Sequence, residues 1–257
     1  MAALVFFLAA LVGGLSYFSH NSAFMITAVR IEGATATDRE ALERSAQTIL
    51  SGNYYWFFPK RNFFLYPKEA LQKSLLNSFK SLETVNIRTP DFKTLVISVT
   101  ERTPHALWCG AVSGDEAGAN GSPCYFLDER GLLFAEAPSF SGDLYLVYHS
   151  TIGKEEPIGS VVLPPDRFRE VNVFLTSLRT LGLSPVAVDI DSLDLSIRLK
   201  KGGTILVSLN DDFSRTLQNL QSFLAGNASS SLSAGQGGEP FRSIDLRFGN
   251  KIFFKRR

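Results

Sequence analysis

The chain has few of the residues that build catalytic and metal sites. Of its 257 residues only three are His and two are Cys. His20, His105 and His149 do not lie in spacings typical of a zinc site or a nucleophile–base pair, so we expect them to be structural or solvent-facing. The Ser-rich stretch 229–233 lacks a Gly-x-Ser-x-Gly frame. The sequence therefore predicts a protein that is not an enzyme, with no catalytic residues, no metal and no cofactor.

An excess of charge of one sign is also missing. The 26 basic and 25 acidic residues leave a net charge of +1. This balance excludes the sequence-wide basic character that binding to phosphate backbones requires, so no nucleic-acid partner is expected. The acidic group Asp189, Asp191 and Asp194 lacks the glycine and the terminal glutamate of a calcium loop, which favours a solvated turn between strands. No small-molecule substrate is expected either.

Charged residues are absent from residues 1–29, and Ala2 to Phe18 is almost wholly apolar. At about 1.5 Å per helical residue, this run nearly crosses a hydrocarbon layer of about 30 Å. It predicts a transmembrane anchor over residues 1–20, in a single-pass type II membrane protein with the bulk of the chain outside the cytoplasm. The alternative is a cleaved signal peptide, although no cationic segment precedes the run. The positive-inside signal is missing, and a short basic cytoplasmic leader could precede this start.

Two cysteines flank a segment rich in Gly, Ala, Ser and Asn, which lies between two strand-like runs. If these strands are antiparallel neighbours, Cys109 and Cys124 lie at the base of the loop and can form a disulfide. For a loop of this size the bond would contribute on the order of 3 kcal/mol and would imply an oxidising compartment. The alternative is a pair of buried, unbonded thiols.

Aromatic residues cluster in two runs, Tyr54 to Pro59 and Phe63 to Pro67, where neither a helical nor a strand period fits. We expect these side chains to be buried anchors of a loop. A surface that stacks against a ligand is the alternative.

Residues 24–102 are predicted to form a compact α/β unit with both helices on one face of a small sheet. Its expected order is strand, helix, helix, strand, strand. The helix that ends near Leu50 should begin at a capping box formed by Thr37 and Glu40. The other elements are a strand over 26–31, a helix over 68–80, and strands over 84–88 and 94–101.

Residues 103–257 are predicted to form a second domain, built on a mostly antiparallel sheet with two packed helices. A hairpin over 125–134 turns at Asp128–Gly131, and a final hairpin turns at Gly249–Asn250. Between them we expect helices over 168–182 and 213–224, strands over 186–190, 193–199 and 204–209, and a flexible loop over 226–240. The predicted fold class is thus α+β, with an N-terminal transmembrane helix.

Two motifs of this chain resemble the FtsQ/DivIB cell-division family. The first is Val99-Thr-Glu-Arg-Thr-Pro104, followed by Trp108 and by Leu127-Asp-Glu-Arg-Gly131, and it resembles the junction between the POTRA domain and the β domain. The second is Ser243-Ile-Asp-Leu-Arg-Phe248, which resembles the last motif of the β domain. The resemblance implies a POTRA domain over 24–102 and an FtsQ-type β domain over 103–257.

The resemblance also implies a non-enzymatic divisome scaffold at the division septum, which links an FtsB/DivIC-like and FtsL-like subcomplex to septal peptidoglycan synthesis. Other divisome components would be contacted through the POTRA domain. The strand after the last motif would receive a segment of the FtsB/DivIC-like partner. The partner-binding residues that the resemblance implies are Arg247 and Phe248 of the motif itself, followed by Gly249, Asn250, Lys251, Ile252, Phe253 and Phe254.

The final hairpin has a second interpretation, because it could simply close the sheet, with its basic residues discouraging aggregation. Two other functional classes also stay open. One is a POTRA-containing protein of membrane assembly or secretion, which would normally carry a membrane barrel after the POTRA unit. The other is an anchored cell-wall enzyme, for which no catalytic constellation is evident.

Overall fold

The computed structural model describes residues 1–111, 123–138, 143–228 and 241–256. The described residues fall into two compact units, Met1–Arg102 and Thr103–Arg257. Helices and strands occur in both units, which confirms the α+β class in its coarse form.

The first unit begins with α1 (Ala2–Ser19), an 18-residue helix without a charged side chain. At about 1.5 Å per residue it is about 27 Å long. Its length and composition are sufficient to cross a membrane. A short 3₁₀ turn, Ser22–Phe24, follows it.

The rest of the first unit is built around a three-stranded sheet in the order β1-β5-β4. Strand β1 is parallel to β5, and β4 is antiparallel to β5. The predicted succession of strand, helix, helix, strand and strand is present. The structure adds a short hairpin, β2–β3, that the sequence did not predict. The elements are β1 (Ala28–Glu32), α2 (Arg39–Leu50), β2 (Asn53–Tyr54), β3 (Phe58–Pro59), α3 (Lys68–Ser78), β4 (Leu82–Arg88) and β5 (Thr94–Glu101).

The helices α2 and α3 each bury one face. Leu42, Ala46 and Leu50 recur every fourth residue along α2, so they share the face that the core covers. Leu71 and Leu75 have the same spacing in α3. Apolar residues of β4 and β5 complete this core.

The start of α2 differs from the predicted capping box. The capping side chain is that of Asp38, whose carboxylate accepts a hydrogen bond from the Glu40 amide. The Thr37 amide instead donates to the carboxylate of Glu101, at 2.7 Å. A contact made by a residue 64 positions away in the sequence thus replaces the expected local one.

The Glu101 carboxylate fixes the segment that precedes α2. It accepts hydrogen bonds from the backbone amides of Thr35, Ala36 and Thr37 and from the Thr35 hydroxyl. Burial alone would raise the pKa of Glu101, but these hydrogen bonds outweigh it and lower the pKa from 4.5 to about 2. Glu101 belongs to the first sequence motif, and its role in this structure is to tie β5 to the chain before α2.

Replacing Glu101 by Gln is expected to lower the free energy of unfolding at neutral pH by about 1 kcal/mol, a value discounted for solvent screening of a partly exposed group. Because the pKa of Glu101 is lower in the folded state, the carboxylate stabilises the fold fully above about pH 4.5. This stabilisation is lost as the pH falls towards 2. Urea unfolding of both proteins, followed by circular dichroism between pH 6 and pH 2.5, measures the difference. A difference independent of pH would contradict this role for the carboxylate.

The second unit is built on one nine-stranded sheet in the order β14-β13-β12-β11-β10-β9-β6-β7-β8. Its strands are β6 (Ala106–Trp108), β7 (Cys124–Leu127), β8 (Leu133–Ala137), β9 (Val147–His149), β10 (Pro185–Asp191), β11 (Asp194–Leu199), β12 (Thr204–Ser208), β13 (Phe241–Phe248) and β14 (Lys251–Arg256). Its helices are α4 (Pro165–Thr180) and α5 (Phe213–Ala228).

This sheet is mixed, with three parallel pairings among mostly antiparallel ones. Two of the parallel pairings follow from helical crossovers, since α4 connects β9 to β10 and α5 connects β12 to β13. The three-residue strand β9 was not predicted from the sequence, and so the first of these crossovers was not predicted either.

The two helices pack against each other over the sheet. The rings of Phe174 in α4 and Phe213 at the start of α5 stack with centroids 5.2 Å apart. Asp212 caps α5, because its carboxylate accepts a hydrogen bond from the Ser214 amide. Buried residues of α4, α5 and the central strands form one continuous core.

The predicted disulfide between Cys109 and Cys124 is present, with Cα atoms 4.3 Å apart. The disulfide lies beside the antiparallel pair of strands β6 and β7, as the sequence suggested. The hairpin of β7 and β8 with its turn at Asp128 is also confirmed.

The structure corrects two predictions about loops. The segment 226–240 was predicted to be a flexible loop, but residues 226–228 form the last part of α5, and residues 229–240 lie outside the described residues. The aromatic runs were predicted to be buried, which is wrong for several members. Tyr55, Trp56 and Phe57, at the tip of the hairpin β2–β3, are exposed, and so is Phe64, which follows the hairpin in the chain.

Candidate functional site: the C-terminal sheet edge

The last two strands form a hairpin at one end of the large sheet. Strands β13 and β14 pair antiparallel, with Ile244 opposite Phe254 and Asp245 opposite Phe253. Gly249, in the turn, has a φ of 63°, a conformation that suits glycine. The side-chain amide of Asn219 in α5 donates to the Gly249 carbonyl at 3.0 Å. The helix therefore holds the turn in place, a contact that the sequence did not indicate.

The outer side of β14 has no neighbouring strand within the part of the chain that the structure describes. Its six residues therefore present a row of backbone donors and acceptors that can pair with an added strand. The strand is two residues longer than predicted, because Lys255 and Arg256 continue it.

One face of β14 is held by the core. Ile252 packs against the core cluster, and the ring of Phe254 lies 5.1 Å from that of Phe223 in α5 and 5.7 Å from that of Phe241 in β13. These contacts fix the strand to the sheet while its outer backbone edge stays open. The strand is therefore a preformed template.

The other face of the hairpin carries one exposed aromatic side chain from each strand, Phe248 from β13 and Phe253 from β14. Phe253 and Phe248 are each 55% exposed, and their rings meet edge to face at 5.3 Å. Exposed Phe residues beside an open strand edge favour association with another chain.

Arg247, which the sequence assigned to partner binding, is engaged within the sheet. Its guanidinium forms a two-pronged pair with Asp245, through Nε at 2.9 Å and Nη2 at 2.7 Å, and Nη1 reaches Asp194 of β11 at 2.6 Å. The hydrogen bond to Asp245 and then that to Asp194 raise the pKa of Arg247, and the hydrogen bond from Arg247 lowers the pKa of Asp245.

Through these ion pairs, Arg247 links strand β13 to strand β11. Its guanidinium also lies 5.8 Å from the centre of the Phe248 ring, where it helps to orient that side chain. Two carboxylates of the predicted solvated turn are likewise ion-paired, Asp194 with Arg247 and Asp189 with Arg198.

Other strand edges are less suited to an apolar partner. At the opposite end of the sheet, the Leu133 amide and carbonyl of β8 are bonded to Ser160 and Gly159. In the first unit, the exposed side chains of β4 are polar, including Glu83, Thr84 and Asn86. Among the edges within the described ranges, β14 combines an open backbone with exposed Phe rings.

A shallow groove of about 540 Å³ lies between α4 and the turn of β7 and β8, and its lining includes His105, Arg130, Thr176 and Ser177. Both hydroxyls of this groove donate to helix carbonyls, Thr176 to Asn172 and Ser177 to Val173. Neither is hydrogen-bonded to a base in the way that an activated nucleophile requires. Its geometry therefore does not indicate covalent catalysis.

No model of a known protein family matches this chain, and no curated protein matches it. The candidate site consequently depends on the geometry of the β14 edge and on the two sequence motifs. The resemblance implied residues 247–254, of which residues 251–254 lie on this edge. It did not indicate that Asn219, Asp194 and Phe223 support it, because these residues lie on other elements.

Proposed function

We propose that this protein is a non-enzymatic scaffold of the cell-division machinery, which binds an FtsB/DivIC-like segment by strand addition to β14. The helix α1 anchors it in the membrane, and the larger part of the chain lies outside the cytoplasm. The observation that carries the proposal is the open, aromatic edge of β14.

An open strand edge exposes a protein to unwanted association. Natural sheets cover, shorten or charge their edge strands, since unpaired strands recruit other chains. In β14, Phe253 stays exposed although the neighbouring Ile252 packs against the core. Burying such a ring against an added strand removes apolar surface from water and stabilises the complex by on the order of 1–2 kcal/mol.

The charges of β14 favour one kind of partner. Lys251, Lys255 and Arg256 lie on the same short strand. Pairing of two copies of this edge would bring like charges together, which is unfavourable. A partner segment with acidic and apolar residues would complement it, so the edge selects a different chain over a second copy.

The proposed role of the first unit comes from the resemblance. Its strand and helix order is the order expected of a POTRA domain, and we assign to it the contacts with other divisome components. The FtsL-like subunit would associate together with the FtsB/DivIC-like one, and the complex would regulate septal peptidoglycan synthesis.

Binding of the purified full-length chain to its own FtsB/DivIC-like protein tests the proposal. Phe253→Ala is expected to weaken binding about tenfold, since central aromatic anchors are typical hot spots. Leu193→Ala, at another exposed apolar position of the same unit, is the matched control and should leave the affinity unchanged. Both residues are largely exposed, so neither change should unfold the protein.

Hydrogen exchange of β14 in the same complex distinguishes strand addition from contact by side chains alone. Slower exchange of β14 amides on binding is the expected result. Unchanged exchange together with unchanged affinity of Phe253→Ala would exclude this edge as the partner site.

A further inference from the structure

The tip of the β2–β3 hairpin exposes three consecutive aromatic side chains. Tyr55 is 85% exposed, Trp56 is 89% exposed and Phe57 is 51% exposed. A soluble surface rarely presents this much contiguous aromatic area unless the area has a binding partner.

The backbone at this tip adopts a conformation that aromatic residues rarely take. Tyr55 and Trp56 have φ values of 49° and 65°, and the Phe57 amide donates to the Tyr54 carbonyl at 3.0 Å. Two left-handed residues in a tight hairpin turn would favour Asn and Gly. The turn instead carries the rings of Tyr55 and Trp56, which are not stabilised by packing in the protein. A contact outside the chain would therefore have to offset the backbone strain.

The tip is attached to the apolar helix α1. The Ser16 hydroxyl in the last turn of α1 donates to the Phe57 carbonyl at 2.9 Å. The buried side-chain amide of Asn62 donates to the carbonyl of Ser19, the last residue of α1, also at 2.9 Å. Ser16 lies about 4.5 Å along the axis from the helix end. Any membrane that α1 crosses therefore ends at the level of the aromatic tip.

A second aromatic group lies directly after α1 along the chain. Phe24 follows the helix, and its ring lies 5.5 Å from that of Phe64 and 5.6 Å from that of Phe92. Phe64 is 67% exposed and Phe92 is 48% exposed. Lys60, between the two aromatic runs, lies over the Tyr54 ring at 5.7 Å and supplies a cation close to the tip.

We propose that Tyr55, Trp56 and Phe57, together with Phe64 and Phe92, form a lipid-contacting surface that seats the first unit in the interfacial layer of the membrane. The proposal rests on the anchoring assigned to α1 under the proposed function. The occupant is the bilayer itself, because the tip is hydrogen-bonded to the helix that crosses it. Trp and Tyr favour the interfacial layer, and Lys60 and Arg61 can reach the headgroup phosphates. The surface fixes the orientation of the first unit on the membrane, which a single flexible tether would leave free.

The full-length chain in vesicles of phosphatidylethanolamine and phosphatidylglycerol provides the test. The sequence has two tryptophans, and the second, Trp108, is buried. The difference in fluorescence between the wild type and Trp56→Phe therefore isolates Trp56. Acrylamide is expected to quench Trp56 severalfold less than free N-acetyltryptophanamide, and lipids brominated near the headgroup should quench it. Quenching by acrylamide as strong as that of the free compound would overturn the proposal.

Extraction of the vesicles with alkaline carbonate separates the two ways of failing. If the chain is released, α1 does not anchor it, and both the anchoring and the lipid contact are wrong. If the chain stays in the membrane while Trp56 remains open to acrylamide, the anchor stands and the lipid contact alone is wrong. The second outcome would instead direct attention to a protein as the occupant of the aromatic tip.

Discussion

Replacing Phe168 by Ala is expected to lower the free energy of unfolding of the second unit by about 3–5 kcal/mol. The side chain is fully buried in α4, and its ring lies 5.2 Å from that of Tyr148. Gly131 of the β7–β8 turn also approaches the ring closely, since a Cβ added there would lie 2.8 Å from Phe168 Cγ. Neighbours held this tightly cannot collapse into the space left by the ring, so the variant keeps a cavity.

Chemical unfolding of the full-length chain in detergent measures this loss. In a Trp56→Phe background, Trp108 is the remaining tryptophan, and it is buried in the core of the second unit, so its fluorescence reports that unit. Val173→Ala is the matched control, because Val173 lies on the same helix but is 62% exposed, and it should change stability by less than about 0.5 kcal/mol. Equal effects of the two substitutions would contradict the packing described for α4.

Removing the disulfide by the double substitution Cys109→Ser and Cys124→Ser is expected to lower the free energy of unfolding of the second unit by about 3 kcal/mol. The bond joins residues 15 positions apart, and in the unfolded chain it restricts the segment between them. In the folded unit the two cysteines lie where strands β6 and β7 already pair. The main effect of the bond is therefore on the unfolded state.

The same Trp108 signal measures the effect of the double substitution. Wild-type protein treated with a reductant is the control, and its stability should fall to that of the double variant. Since the variant removes a bond and not a packed side chain, its fluorescence in the folded state should match that of the wild type. Equal stability of oxidised, reduced and substituted proteins would show that the bond contributes nothing to folding.

The sequence predicted many helices and strands because their periodicity is local. The apolar spacing of α2 and the alternation in β5 follow from which face of each element meets the core. The disulfide was predictable for a similar reason, since its cysteines flank neighbouring strands. Very short strands such as β2 and β9 were missed, because two or three residues carry no readable period.

Burial of the aromatic runs could not be judged from composition. Phe and Trp are usually buried, and the prediction followed that preference. The position of Trp56 depends on a hairpin whose tip is hydrogen-bonded to the last turn of α1, through Ser16 and Phe57, which lie 41 positions apart in the chain. Only the tertiary structure brings these segments together.

The candidate site, too, could be predicted from the sequence only in part. The sequence by itself determined the final strand and its turn, because the Gly249–Asn250 pair and the flanking apolar residues specify a hairpin locally. The tertiary structure decided that β14 lies at the edge of the sheet, since strand order depends on the crossovers through α4 and α5. It also decided that Arg247 pairs with Asp194, and that Glu101 fixes the chain before α2. Such contacts join residues far apart in the chain, so their energy exists only after the elements have packed.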